Sequence, residues 1–156
     1  MKMTPTTDSS LLRMIDHTLL RPSATYADVR RVCLEARHYG FGAVVIHPVH
    51  CPRARQHLRG ADVALVVAIG YPTGAFTVEG KIHEARQALA EGATEIDFAL
   101  NMGALLGGDT ESISSEMHAL REIVKEGIVK VTLEGSEIPD QAWCTACELA
   151  AKARMD

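Results

Sequence analysis

Residues 95–101 have the sequence Glu-Ile-Asp-Phe-Ala-Leu-Asn, three residues after Gly92. The run has the length and apolar bulk of a strand that is buried on both faces of a parallel sheet. Asp97 interrupts the apolar pattern, and Asn101 lies just beyond the strand end. A carboxylate in such a strand must be paired or its pKa rises. The segment therefore predicts both a parallel sheet and a functional position within it.

The same unit, an apolar run followed by an amphipathic stretch, recurs along the whole chain. Further strands are predicted at residues 14–20, 43–46, 63–69 and 128–134. Helices are predicted at residues 25–39, 51–59, 77–91, about 110–125 and 139–153, and a loop at 103–108. Thr25 and Asp28 have the spacing of a capping box, and Gly40 is a typical helix stop. This alternation predicts a parallel α/β fold, either an open doubly wound sheet or a closed barrel.

Length and composition indicate a single domain and argue against several classes of binding partner. The 156 residues fit one domain at 11–156 after a polar leader at 1–10. A net charge of −4 gives no electrostatic reason to expect nucleic acid or an anionic membrane as a partner. The longest apolar run, 63–69, is far shorter than the roughly 20 residues of a bilayer span. Four cysteines are too few for a disulfide scaffold, which predicts reduced thiols and a cytoplasmic protein.

Polar residues also interrupt the first and fifth predicted strands. Asp16 and Thr18 lie in the first, while Lys130, Thr132 and Glu134 alternate along the fifth and should share one face. Lys130 is expected to pair with Asp97 on the neighbouring strand. Two interpretations stay open, because such a pair is either a structural ion pair that holds two strands together or a proton-transfer pair at a barrel site.

Two other patterns favour ordinary structural explanations over a binding site. Cys144 and Cys147 have a spacing used by redox and zinc sites, but they lie in a helical stretch without a second pair, so a core-facing or incidental pair is expected. The glycines at 103, 107 and 108 predict a mobile loop rather than a phosphate cradle. No metal site is expected.

Together these segments resemble the deoxyribose-phosphate aldolase family. The resemblance rests on Ile15-Asp16-His17-Thr18-Leu19-Leu20-Arg21-Pro22, Ile69-Gly70-Tyr71-Pro72-Thr73-Gly74-Ala75, Lys81 with Glu84, residues 92–105, and Val129-Lys130-Val131 with Leu133-Glu134. It extends in order from about residue 11 to the last residue. Val45 departs from the pattern, since relatives often have cysteine there, and Gly135 replaces a usual threonine.

The resemblance implies a (β/α)8 TIM barrel, of which this chain has about five βα units. It also implies a lyase that cleaves 2-deoxy-D-ribose 5-phosphate to glyceraldehyde 3-phosphate and acetaldehyde through a lysine Schiff base, without metal or cofactor. Asp97 would be the carboxylate of the proton relay and Lys130 its companion lysine. Asp16, Thr18 and Asn101 would contact the phosphorylated sugar.

The family's Schiff-base lysine belongs to a sixth strand, which would follow Asp156. We do not expect Lys81 or Lys130 to replace it, because Lys130 would pair with Asp97 and stay protonated. An unclosed barrel leaves edge strands that invite pairing, so a homo-oligomer is expected. Three explanations stay open: a longer chain, edge pairing between two copies, or relaxation into an open flavodoxin-like sheet. The alternative function is an inactive aldolase-like module that oligomerises or binds a small anion.

Overall fold

Five parallel strands, each followed by helical structure, form the described part of the chain. The computed structural model describes residues 9–133 and 138–156. The strands are β1 (Asp16–Leu19), β2 (Ala43–Ile46), β3 (Ala64–Ile69), β4 (Glu95–Ala99) and β5 (Ile128–Thr132). The helices are α1 (Ser9–Leu12), α2 (Tyr26–Tyr39), α3 (Cys51–Leu58), α4 (Val78–Ala90), α5 (Met102–Leu106), α6 (Thr110–Val124) and α7 (Asp140–Lys152). Most of the predicted leader lies outside the described residues, as do Glu134 and Gly135.

Helix boundaries follow the capping chemistry of the sequence. Thr25 and Asp28 form the predicted capping box, and Gly40 ends α2 in the left-handed conformation at φ 74°. Thr77 caps α4 by accepting from the Gly80 amide. The loop predicted at 103–108 is wrong in part, because α5 occupies most of it and its N-terminus is capped by Asn101.

The strand order excludes the open flavodoxin-like arrangement. The strands follow one another in sequence order, β1-β2-β3-β4-β5, and every pair is parallel. A flavodoxin-like sheet would have the order 2-1-3-4-5. Sequential order is that of a barrel, in which each crossover adds the next strand on the same side.

The curvature of the sheet also identifies a barrel sector. In a flat sheet, four spacings of about 4.8 Å would place β1 and β5 about 19 Å apart. The Lys130 ammonium on β5 nevertheless lies 2.7 Å from the Asp16 carboxylate on β1. Side chains of the two edge strands meet only if the sheet wraps around an interior.

Alternation divides the sheet into two faces. The outer face carries large residues that pack under the helices, such as Val44, Ile46, Val67, Ile96 and Phe98. The inner face carries small apolar residues on β2 and β3, namely Ala43, Val45, Val66 and Ala68. Polar residues occupy this same inner face on β1, β4 and β5, and they form the candidate site. Within residues 9–133 and 138–156, no helix is both long and apolar enough to cross a bilayer.

Candidate active site

Asp97 and Lys130 lie side by side on the inner face of the sheet. Register makes them direct partners across the β4–β5 ladder, and Ala99 pairs with Thr132 two residues later. The Thr132 hydroxyl donates a hydrogen bond of 2.8 Å to Asp97 Oδ1. Partners in register on parallel strands face the same side, so the predicted inward placement of Asp97 and Lys130 is confirmed.

The predicted ion pair between Lys130 and Asp97 is wrong. Lys130 Nζ instead lies 2.7 Å from Asp16 Oδ2 and 3.0 Å from Glu95 Oε2. The four-carbon stem of lysine reaches the diagonal neighbour on β4 and the facing carboxylate on β1. Among residues 9–133 and 138–156, Asp97 has the neutral hydroxyl of Thr132 as its hydrogen-bonding partner.

The pKa values of Asp97 and Lys130 are both raised, for different reasons. Burial raises the pKa of the Asp97 carboxyl above its ordinary value, although the Thr132 hydrogen bond and the nearby Lys130 charge oppose the shift. Burial alone would lower the pKa of the Lys130 ammonium, but its hydrogen bonds to Asp16 and Glu95 outweigh burial and raise it. Asp97 is therefore suited to carry a proton, while Lys130 is held as a cation and is a poor nucleophile.

Thr18 and Asn101 lie near the carboxyl ends of β1 and β4, respectively. The Thr18 hydroxyl donates to the Asp16 carbonyl at 2.9 Å and so belongs to the β1 part of the cluster. Asn101 follows β4 directly, and its Oδ1 accepts from the Ala104 amide at 3.1 Å as the cap of α5. Contact of either residue with a sugar stays a prediction.

Sequence reasoning missed Glu95, and it gave Lys81 and Glu84 no structural role. Glu95 precedes Asp97 by two residues, so alternation alone could have placed it on the inner face. Lys81 is fully buried on the outer side, where it contacts Glu116 and the Ala99 carbonyl. Glu84 accepts from the Gly70 amide at 2.8 Å. Sequence spacing carries no signal for these contacts, since they join different elements.

The cysteine pair on α7 is exposed. Cys144 and Cys147 both face outward as free thiols, so the core-facing option is wrong and an incidental helical pair remains. In the part of the chain that the structure describes, no three His, Cys, Asp or Glu side chains converge as metal ligands would.

Known proteins match this chain in sequence and in fold. The model of the DeoC/LacD family aldolases matches residues 10–143. A deoxyribose-phosphate aldolase of Brevibacillus brevis is 39% identical over 144 residues, which are 92% of this chain and 65% of that relative. Among solved structures, a Coccidioides immitis protein described as a deoxyribose-phosphate aldolase has a TM-score of 0.92 at 33% identity, over 95% of this chain and 58% of the other.

The tetrameric deoxyribose phosphate aldolase of Aeropyrum pernix has a TM-score of 0.86 at 32% identity, over 95% of this chain and 62% of that one. The chain thus spans about two thirds of the length of the curated relatives it matches. The resemblance of the strand motifs is confirmed by the extent of these matches. Because the family model covers most of its residues, the chain belongs to the DeoC/LacD family of aldolases.

Proposed function

We propose that this chain supplies the acid–base half of a deoxyribose-phosphate aldolase. The reaction cleaves 2-deoxy-D-ribose 5-phosphate to glyceraldehyde 3-phosphate and acetaldehyde through a lysine Schiff base. The Schiff-base lysine would lie beyond Asp156, on a strand that continues the barrel next to β5. Asp97 would carry the protons, Lys130 would be the companion cation, and Asp16, Thr18 and Asn101 would contact the sugar.

The observation that carries the proposal is the separation of charge on the inner face. Lys130 is paired with Asp16 and Glu95, while Asp97 is hydrogen-bonded to Thr132 and has a raised pKa. Schiff-base formation needs a group that gives a proton to the departing hydroxyl and later takes one from the sugar hydroxyl as the carbon–carbon bond breaks. A carboxyl group with a raised pKa can do both near neutral pH.

Lys130 itself is unsuited to attack the carbonyl. A Schiff-base lysine must lose its proton at working pH, which usually requires desolvation or a second cation nearby. Two carboxylates contact the Lys130 ammonium and raise its pKa, which has the opposite effect. The proposal therefore needs a different lysine as nucleophile.

Borohydride trapping with 2-deoxyribose 5-phosphate tests this division of roles. Peptide mass spectrometry of the reduced protein, made from its complete gene, should place the adduct on a lysine that follows Asp156. The 156-residue chain alone should give no adduct on Lys81 or Lys130, and samples without substrate are the control. An adduct on Lys130 would overturn its assignment as a fixed cation. A complete gene product that forms no adduct at all would contradict the aldolase proposal.

We also infer a homo-oligomer and a cytoplasmic location. The Aeropyrum relative is tetrameric, and several large apolar side chains of this chain are exposed, including Leu11, Met14, Leu34, Tyr39 and Val49. The cysteines are free, in line with a reducing compartment. Light scattering after gel filtration measures the assembly, and a monomer at micromolar concentration would contradict it.

A further inference from the structure

A fully buried lysine lies behind the strand that carries Asp97. Lys81 projects from α4 towards the outer face of β4, and none of its side chain is exposed. Its ammonium donates to the Ala99 carbonyl at 2.7 Å and forms an ion pair with Glu116 of α6. The Phe98 ring centroid lies 5.8 Å from the same nitrogen. A buried ammonium requires such partners, so Lys81 is tied to the end of β4 and to α6 at once.

The carbonyl that Lys81 holds is close in the chain to the candidate site. Ala99 is the last residue of β4, two residues after Asp97, and it pairs in register with Thr132. The next amide, of Leu100, donates to the Thr132 carbonyl at 3.1 Å. Thr132 in turn donates its hydroxyl to Asp97. A shift of the Ala99 carbonyl would therefore change the strand pairing that sets the Thr132–Asp97 hydrogen bond.

The same helix also holds the end of the preceding strand. Glu84, three residues after Lys81, accepts from the amide of Gly70, which directly follows β3. Gly70 has φ 60°, and a Cβ built there would lie 2.8 Å from Lys81 Cε. The stem of Lys81 thus occupies the space where a side chain at residue 70 would lie. One turn of α4 contacts the carboxyl ends of both β3 and β4.

A role in stability alone explains this pair poorly. Replacing a buried ion pair by apolar residues of similar volume is often neutral or stabilising. What an apolar pair cannot supply is a donor to the Ala99 carbonyl at this position. We therefore expect the effect of Lys81 in the position of the backbone at the end of β4, rather than in the stability of the fold.

We propose that Lys81 is a positioning residue, which fixes the carboxyl end of β4 from the outer face and thereby sets the Asp97–Thr132 hydrogen bond on the inner face. This inference deepens the proposed function and rests on the role given there to Asp97. Lys81 contacts no reacting atom in this scheme. Its effect passes through the backbone of Ala99 and Leu100.

The test is the double variant Lys81→Met/Glu116→Leu, which removes both charges and leaves no unpaired ion. Its urea unfolding midpoint should stay close to that of the unchanged protein, because the loss of the donor to the Ala99 carbonyl offsets the gain from removing a buried ion pair. In the complete gene product, kcat for 2-deoxyribose 5-phosphate cleavage should fall about 10- to 100-fold with KM changed less than about threefold, as expected for a misplaced acid–base group. The control is Val29→Ala on α2, a buried residue away from β4, which should leave kcat unchanged.

A second readout does not require turnover. The pKa of Asp97, followed by carbon-detected NMR of its carboxyl group, should move in the double variant and stay constant in Val29→Ala. An unmoved Asp97 pKa together with an unchanged kcat would overturn the proposal. If Asp97→Asn proves fully active while the Asp97 pKa still responds to Lys81, the proposed function fails and the positioning role stands. Should the double variant not fold, the same criterion applies to Lys81→Arg, whose planar guanidinium cannot reproduce the contacts of the compact ammonium.

Discussion

Replacing Gly74 by alanine should damage the end of β4 more than any change at a comparable glycine. Gly74 lies in the turn after β3 and has φ 66°. A Cβ built on it would lie 1.8 Å from the Leu100 carbonyl oxygen, where ordinary contact begins at 3.4 Å. The position of a Cβ is fixed by its own backbone and the atom it meets is a backbone oxygen, so no side-chain rotation can relieve the overlap. Either the turn or the segment after Asp97 must move by more than about 1 Å.

Two other glycines separate the two contributions to the loss of stability, which are the left-handed backbone and the steric overlap. Gly60 has φ 75° with nothing within 4 Å of its added Cβ, so Gly60→Ala should cost only the left-handed backbone penalty of about 1–2 kcal/mol. At Gly42 an added Cβ would lie 2.1 Å from the Arg13 carbonyl oxygen, so Gly42→Ala should cost about 1–3 kcal/mol through overpacking. Gly74→Ala has both defects and endangers the Leu100–Thr132 backbone hydrogen bond, worth about 1 kcal/mol. Its expected cost is about 3–6 kcal/mol.

Urea unfolding of the three variants measures these free energies under identical conditions. Activity of the complete gene product separates the site from the scaffold. Gly74→Ala should reduce kcat about 100-fold per folded molecule, since a displacement of about 1 Å at a catalytic group has that effect. Gly60→Ala should leave kcat nearly unchanged, because its added methyl group meets nothing within 4 Å. A Gly74→Ala variant no less stable than Gly60→Ala would refute the steric reasoning.

Three further outcomes follow from the charges and the exposure of individual side chains. Asp97→Asn should unfold at pH 7 with a free energy equal to or above that of the unchanged protein, because burial already disfavours its ionised form, yet kcat should fall about 10²- to 10⁴-fold. Lys130→Met should lose about 1–3 kcal/mol at pH 7. Because the pKa of Lys130 is raised in the folded state, the loss of unfolding free energy should persist at every pH below the unfolded pKa of about 10.4. It should vanish as the pH rises through the folded pKa. A loss that stays constant in urea titrations up to pH 11 would contradict the pairing. In a thiol-reagent time course, the exposed Cys144 and Cys147 should react at once. Cys33 and Cys51, whose pKa is raised by burial to about 11, should react only on unfolding.

The order of elements was predictable because each signal is local. Short β-branched apolar runs such as Ala43–Ile46 favour a buried strand, and Thr25 with Asp28 satisfies amides only a few residues away. The short helix α5 was not predicted, since its glycines favour a loop, whereas the Asn101 cap and packing against α6 and α7 favour the helix. Barrel curvature was also beyond local signals, because it depends on strands at opposite edges of the sheet.

The sequence predicted some of the polar residues on the inner face, but not the contacts between them. Alternation predicted Lys130 and Thr132 on one face of β5, and the strand register places Asp97 of β4 on that same face. Which carboxylate Lys130 selects depends on how far the sheet curls, since only a curled sheet brings Asp16 within reach. The outer-face contacts of Lys81 depend on how α4 and α6 pack, which sequence spacing does not encode.

The two faces of strand β4 have different partners. Inward, it presents Glu95 and Asp97 to the cation of Lys130 and the hydroxyl of Thr132. Outward, its end is held by the ammonium of Lys81. Successive residues of a barrel strand face the barrel interior and the surrounding helices in turn. A group on the helix side can therefore set the geometry of a group on the interior side without touching it. Changes on the outer face of β4 should then alter kcat while KM stays nearly constant, whereas changes at Asp16, Thr18 or Asn101, the proposed sugar contacts, should alter both.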